Sequence, residues 1–335
     1  MHPVPASRRA LARPLTVFHS PDYAGGGFDT VAKAGAVADS LTVAPPAHPV
    51  ELVAPEPATR SELVAVHDEG FVDAVLTGEP RGLASSAGLG WTDTFARSVL
   101  ASTGGCRDAA RVAWDHGVAG TLSSGLHHAG RSSGNGYCTF NGLVLAVHAF
   151  QALGAERVLV LDLDAHCGGG THDIVGNAPG VVGVDVSVSS FDDYEPGPGW
   201  SLDLVDHAAH YLPTIEQRVA EVPAGVDAVV YNAGMDPHER CATGGLAGIT
   251  TEVLADREAL VFGWAAARVV PIAFALAGGY VGSVLSADEL TTLHRLTVDR
   301  AAWMAHLRST AAAYGDGMVP VVKGNGYGFG RPLLH

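Results

Sequence analysis

Apolar residues along this chain fall into two alternating textures. Short runs too brief for helices are rich in valine, leucine and isoleucine: Leu15 to Phe18, Val118 to Leu122, Val158 to Asp164, Val181 to Val186, Ala228 to Asn232 and Val269 to Leu276. Between them lie longer stretches, such as Asn141 to Leu153, closed by Gly154, and Thr251 to Ala266, whose apolar residues recur at spacings of three and four. Near-continuous apolar strands separated by amphipathic crossovers predict a mostly parallel sheet with helices on both faces, a doubly wound three-layer α/β/α architecture. No internal repeat and no Pro/Ser linker divides the sequence, so one domain over 1–335 is expected. Residues 1–14 are read as flexible, the Ala/Pro-rich piece from Val43 to Pro57 as a surface loop, and residues 320–335, with GNGYGFG, as a glycine-rich tail.

In open parallel sheets, ligands gather beyond the carboxyl ends of the strands. The residues just past several apolar runs here are unusual. SSGLHHAG, with His127 and His128, comes after Val118 to Leu122. Asp162, Asp164 and His166 come after Val158 to Leu161 in LVLDLDAHCGGGTHD; YNAGMDPH supplies Asp236; and AGGY, after Ile272 to Leu276, supplies Tyr280. Asp164 and His166 are two apart, so on extended backbone they share a face and can reach one ion. Asp236 from another strand end would be a third ligand, leaving a position for water, as a catalytic zinc requires; two oxygens and one nitrogen also suit ferrous iron.

Charge and composition narrow the partners. Lys plus Arg number 20 against 35 Asp plus Glu, a net charge of −15, which repels nucleic acid and anionic membranes and favours a neutral or cationic small substrate. No apolar run approaches a membrane span and the start lacks the apolar core of a signal peptide, so a cytoplasmic protein is expected. Cys106, Cys138, Cys167 and Cys241 are widely spaced without a CxxC pair, the pattern of free thiols. Cys138 and Cys167 read as small buried hydrophobes, and His19, His67, His172, His207 and His210 as surface or core histidines.

With these residues assembled, the chain resembles the histone deacetylase family of metal-dependent amidohydrolases, of the arginase/deacetylase fold. The motifs GLHHAG, GYCTFN (Gly136 to Asn141), LDLDAHCGGGT, VSVSSF with YEPGPG, NAGMDPH and LAGGY come in that family's order. The resemblance implies Asp164, His166 and Asp236 as zinc ligands, and His127 and His128 as the catalytic pair, with Asp162 orienting His127. It implies Tyr280 as the phenol polarising the scissile carbonyl. A potassium ion is implied near Asp162, Asp164, His166, Ser187 and Val188. The implied reaction is hydrolysis of an acyl amide, an acetyl-lysine, an acetylated polyamine or another small acylated amine, to a carboxylate and a primary amine.

Several positions depart from the family pattern. An Asp or Asn commonly stands three residues after the metal-binding histidine to support the second catalytic histidine; here that position is Gly169, so His128 is expected to lack a partner. The resemblance implies Tyr137 as one aromatic wall of the substrate channel, with Gly136 and Gly278 also along the channel. The other wall aligns with Tyr194 or Glu195, and a glutamate there would favour a cationic leaving amine. In GWTDTF, Asp93 is the candidate for a rim aspartate that grips a peptide. Three readings compete: a two-manganese ureohydrolase, which needs an Asp where Gly168 stands; a biosynthetic amidohydrolase acting on a larger metabolite; and a non-catalytic metal-containing binding module. Oligomeric state is left open.

Overall fold

The structure, a computed structural model, describes residues 13–24 and 29–314; the proposed glycine-rich tail lies outside them, as does nearly all of the segment read as flexible at the start. Eight strands form one sheet: β1 (Leu15–Phe18), β2 (Val50–Val53), β3 (Val118–Thr121), β4 (Val158–Asp162), β5 (Val181–Ser187), β6 (Trp200–Leu204), β7 (Ala228–Ala233) and β8 (Ile272–Leu276). Their order is β2-β1-β3-β8-β7-β4-β5-β6, and every pairing is parallel. Strands β3, β4, β7 and β8 are buried along their whole length, which is why their sequences are apolar without alternation.

Two strands escape a reading by apolar runs. β2, within the expected surface loop, reads VELV and is part-exposed; β6 reads WSLDL and is nowhere fully buried. Both lie at the sheet edges, where one face is wet and polar residues cost little. The last predicted strand begins late, because Val269 takes a left-handed φ of 57° and is 73% exposed. It is the turn out of the helix Thr251–Ala267, and the ladder starts only after Pro271, whose ring carries no N–H to donate.

One sheet face packs against the helices Ala208–Glu221, Thr251–Ala267 and Ala287–Tyr314, around Leu161, Tyr231, Phe262, Phe274 and Leu276. The other packs against Asp93–His116 and Gly142–Ala152, around Phe140, Leu143, Val147, Phe150 and Val160. Side-chain caps start these helices: Thr92 accepts from Phe95 N, Asn141 from Val144 N, and Thr250 from Val253 N. Among the described residues no helix is long and apolar enough to cross a membrane.

The helix Thr251–Ala267 sits on the sheet through Phe262, whose ring meets Tyr231 at 5.9 Å and Phe274 at 6.0 Å, both edge-on and fully buried. Phe262→Ala should therefore cost roughly 3–5 kcal/mol, and Phe262→Leu about 1.5 kcal/mol or less, read as the shift in unfolding free energy in urea titrations.

Candidate active site and metal centre

The five neighbouring strands β3, β8, β7, β4 and β5 end at one place, and the unusual residues hang from their carboxyl ends. β4 closes at Asp162, so Asp164 and His166 lie in the bend beyond it rather than on extended strand. It is the bend, and not strand alternation, that turns the two side chains together. Asp164 Oδ1 accepts from His166 N at 3.1 Å and faces His166 Nδ1 at 3.1 Å. From β7, Asp236 turns in: its Oδ1 accepts from Ala165 N at 3.0 Å, and its Oδ2 stands 3.1 Å from the same Nδ1.

Asp164, His166 and Asp236 are all buried and offer three ligand atoms lying within 4.8 Å of one another, the one such group among the described residues. Asp236 Oδ2, although buried, makes no well-formed hydrogen bond, its close polar neighbour being His166 Nδ1 at 3.1 Å. Gly278 leaves room beside both carboxylates, because a Cβ there would lie 2.1 Å from Asp236 Oδ2 and 2.6 Å from Asp164 Oδ2. Its N–H donates to Asp164 Oδ2 at 2.6 Å. Two carboxylates and one imidazole nitrogen fit a divalent cation of the zinc or ferrous type.

Without a cation the site must hold protons. Burial works against charge on His166, yet Asp164 and Asp236 outweigh it and raise the imidazole to about 10. Burial together with the Asp164 charge raises Asp236 to about 6. On Asp164, burial is overcome by His127 and His166, which hold it well below the usual carboxylate range.

The paired histidines lie beyond β3. His127 Nδ1 meets Asp162 Oδ2 at 2.9 Å; burial opposes its charge, but Asp162 and Asp164 lift it to about 10. Asp162 Oδ1 in turn accepts from Asn232 Nδ2 at 2.9 Å and from Asp164 N at 3.2 Å. The expectation that Gly169 leaves His128 without a partner is overturned. Its Nδ1 lies 2.8 Å from Asp192 Oδ2, a residue of the loop after β5. Burial and the neighbouring His127 charge lower the His128 pKa, so its imidazole is neutral near pH 7.

The loop bearing both histidines is pinned by Asn141 and Thr171, which close the motifs GYCTFN and LDLDAHCGGGT, and by His67, which lies outside every motif. Asn141 Nδ2 donates to Ala129 O at 3.1 Å and Thr171 Oγ1 at 3.0 Å. His67, read from sequence as an ordinary histidine, joins this frame: its Nε2 accepts from Asn141 N at 3.0 Å, so Nδ1 carries the proton given to Gly130 O at 2.8 Å. On the opposite face, buried Arg257 ties together the two strand ends that bear the acidic groups, donating to Leu163 O at 3.2 Å and Gly234 O at 2.6 Å. A hydrophobic-looking helix gives little warning of such a residue.

A cavity reaches this centre. Gly136, Tyr137, Gly278 and Tyr280 line it, and its inner end is formed by buried residues including Tyr23 and Ser102. Tyr137, 44% exposed, takes a φ of 65°. Burial, with the charges of Asp236 and Asp164, raises the Tyr280 pKa, so it stays a phenol. Its ring stands 6.3 Å from that of His166, edge to face.

Tyr194 and Glu195 are not among the residues lining the cavity, which corrects their assignment to the channel. Tyr194 points beneath the site, its hydroxyl donating to Asp185 Oδ2 at 3.2 Å and its ring stacked 4.2 Å from His172. Glu195 is exposed to solvent. The aromatic against the catalytic pair is instead Phe191, 46% exposed, its ring 5.0 Å from His128 and 6.0 Å from His166. It closes the motif VSVSSF, and a Gly/Pro-rich loop has no periodicity to fix which of its nearby aromatics turns inward.

Beside the bend after β4 lies a second pair of buried carboxylates. Asp185 is the cross-strand neighbour of Asp162, and burial with the Asp162 charge raises it to about 7. Ser187 Oγ donates to Asp185 Oδ1 at 2.6 Å, and Val188 N donates to Ala165 O at 2.9 Å, closing the loop over the bend that carries Asp164 and His166.

Comparison with known proteins accords with this geometry. A model of the histone deacetylase domain matches residues 29–200. An uncharacterized protein of Picosynechococcus is 31% identical over 248 residues, 70% of this chain and 81% of that one. Histone deacetylase 2 of Arabidopsis thaliana is 27% identical over 268 residues, 73% of this chain and 67% of that one. The crystal structure of an acetylpolyamine aminohydrolase from Burkholderia pseudomallei superposes with a TM-score of 0.66 at 18% identity, covering 90% of this chain and 99% of the other. A parallel sheet with an Asp-His-Asp centre at its carboxyl edge defines a metal-dependent hydrolase of the arginase/deacetylase fold. The chain belongs to the histone deacetylase family, and it is an enzyme of the deacetylase and amidohydrolase class.

Two measurements probe this centre. Because His166 is held protonated in the absence of a cation, zinc binding should release about one proton near pH 7 and weaken as pH falls, seen by calorimetry in buffers of different ionisation enthalpy. Burial lowers His67 from 6.5 to about 4. The unfolded chain then takes up a proton below 6.5 that the folded chain refuses until about 4, so this contribution to stability is complete above 6.5 and lost through that window. The pH dependence of unfolding free energy should be flatter in His67→Gln by roughly 3 kcal/mol across the window.

Proposed function

We propose that this enzyme hydrolyses the amide of a small acylated primary amine, an acetylated polyamine or acyl-lysine, releasing a carboxylate and the free amine. The observation that carries the reading is a cavity lined by Tyr280, His127, His128 and Asp164, the last of which belongs to the metal-ligating group with His166 and Asp236. The proposed metal is zinc, with ferrous iron as its substitute, held by Asp164 and Asp236 oxygens and by His166 Nδ1. Bound there, it would polarise the acyl carbonyl and bring the pKa of a water toward neutrality.

The protein's own groups supply the rest. His128, neutral and with Nδ1 committed to Asp192, leaves Nε2 as the nitrogen that takes a proton from the attacking water. The Tyr280 hydroxyl, kept protonated, donates to the oxygen that gains charge in the transition state, where its interaction is strongest. The imidazolium of His127, fixed by Asp162, adds positive charge beside that oxygen. Protonated His128 then gives its proton to the departing nitrogen, which leaves as an amine.

Potassium is the proposed occupant of the region around Asp162, Asp164, His166, Ser187 and Val188. The side-by-side carboxylates of Asp162 and Asp185 support it, since the imidazolium of His127 is a single positive charge set against two buried acidic groups. The single group of metal-ligating residues among those described, with Gly168 where a bridging Asp would be needed, supports one catalytic cation rather than two manganese ions. Tyr137 on the cavity lining, with the exposed Phe191 ring beside His128, is suited to flank the methylene chain of a slender amine, and the Burkholderia structural neighbour is itself named for acetylpolyamines.

Zinc-loaded protein should release acetate from N-acetylputrescine or from an acetyl-lysine peptide. Chelation or Asp164→Ala should lower turnover by more than about 10³-fold, and Tyr280→Phe should lower kcat by roughly 10²- to 10³-fold with KM little changed. Absence of turnover over a broad panel of acyl amines, with either zinc or iron bound, would sink the proposal.

A further inference from the structure

His127 and His128 each direct Nδ1 at a carboxylate, but the two carboxylates differ in origin. Asp162 comes from β4 and is buried with its histidine. Asp192 arrives from the loop after β5, 64 residues along the chain from His128, and its side chain is 19% exposed. We propose that Asp192 is the positioning residue of His128, and that position 169 is glycine so that the Asp192 loop can reach it. This rests on the reading of His128 as the group that moves the proton.

Three contacts hold the Asp192 carboxylate in place. Oδ2 faces His128 Nδ1 at 2.8 Å and accepts from Gly170 N at 3.2 Å, while Oδ1 accepts from Asn135 Nδ2 at 3.2 Å. The backbone concedes something for this arrangement: Asp192 takes a φ of 63°, a left-handed conformation that is uncommon outside glycine. The strained residue is clamped from the preceding side, where Phe191 O accepts from Cys167 N at 3.0 Å and Ser189 bridges His166.

Gly169 is the other half. A Cβ at that position would sit 2.4 Å from Asp192 O and 2.8 Å from Asp192 Cγ. Any side chain at 169 and the present course of the loop therefore exclude each other. A carboxylate supplied from 169 and one supplied from 192 are alternative solutions to one requirement, an acceptor that keeps the proton of His128 on Nδ1 and Nε2 open to the reaction.

The test uses the full-length zinc-loaded protein and the variants Asp192→Ala, Asp192→Asn, Gly169→Ala and the Asp192→Ala/Gly169→Ala double. Long-range proton–nitrogen NMR of the His128 ring reports the tautomer without reference to turnover, and bound zinc is assayed for each protein. In the wild type, Nδ1 carries the proton. In Asp192→Ala and Gly169→Ala that preference should be lost while zinc content is unchanged. kcat for the acyl amine should fall about 10- to 100-fold in each, with KM within about twofold. The double should be no slower than either single variant, because both break one contact. Asp192→Asn, which retains an acceptor oxygen, should recover part of kcat. An unaltered His128 tautomer in Asp192→Ala, or fully additive losses in the double, overturns the proposal. A wild type inactive on every acyl amine, with the tautomer still lost in Asp192→Ala, would refute the proposed function and leave the positioning role standing.

Discussion

Burying Asp164 and Asp236 on either side of one imidazole nitrogen is the constraint on which the rest of the structure depends. Two carboxylates brought this close in a dry place repel each other and forfeit hydration, a penalty of several kcal/mol for each charge unless cations and hydrogen bonds answer it. The answers are visible all around. Backbone N–H groups of Ala165 and Gly278 turn toward the acidic oxygens. His166 faces both, and Arg257 fixes the carbonyls of Leu163 and Gly234 so that the two strand ends cannot relax apart. Asp236 Oδ2 still makes no well-formed hydrogen bond, its one close polar neighbour being the His166 Nδ1 that a metal ion would share with it.

The same logic extends outward in layers. His127 needs Asp162, Asp162 is fixed by Asn232, and the loop holding His127 is fixed by Asn141, whose own N–H rests on His67. Each hydrogen bond removes a degree of freedom from the one inside it. Arg257 is itself steadied by Glu258 and by the Tyr211 hydroxyl, with Tyr231 completing the set through Glu258. Buried polar networks are costly where they are incomplete, and Asn232 Oδ1 and Glu258 Oε2 are the buried atoms of this one left without a partner besides Asp236 Oδ2.

Much of this is legible in the sequence because the central strands are buried on both faces. Unbroken apolar runs in β3, β4, β7 and β8 mark their positions, and the polar residues just past them stand out by contrast. Edge strands β2 and β6 lack that contrast, being half wet and carrying Glu51 and Asp203. Contacts between loops far apart in sequence are beyond reach for a different reason. Nothing local to Asp192 indicates that it folds back on His128, and nothing local to His67 indicates that it props Asn141. Gly169 is conspicuous in the sequence, but a glycine reports equally a lost group and a space made for one from elsewhere.

Phe191 and Asp192 are consecutive, one with its ring against His128 beside the cavity-lining Gly136 and the other on Nδ1 of the same imidazole. Remodelling this segment to admit a wider guest would shift the carboxylate beside it, so selectivity and chemical competence are inherited together there. The Tyr137 wall is tied to the same carboxylate, because Asn135, two residues earlier, donates to Asp192 Oδ1, so reshaping either side of the entrance bears on how His128 is held.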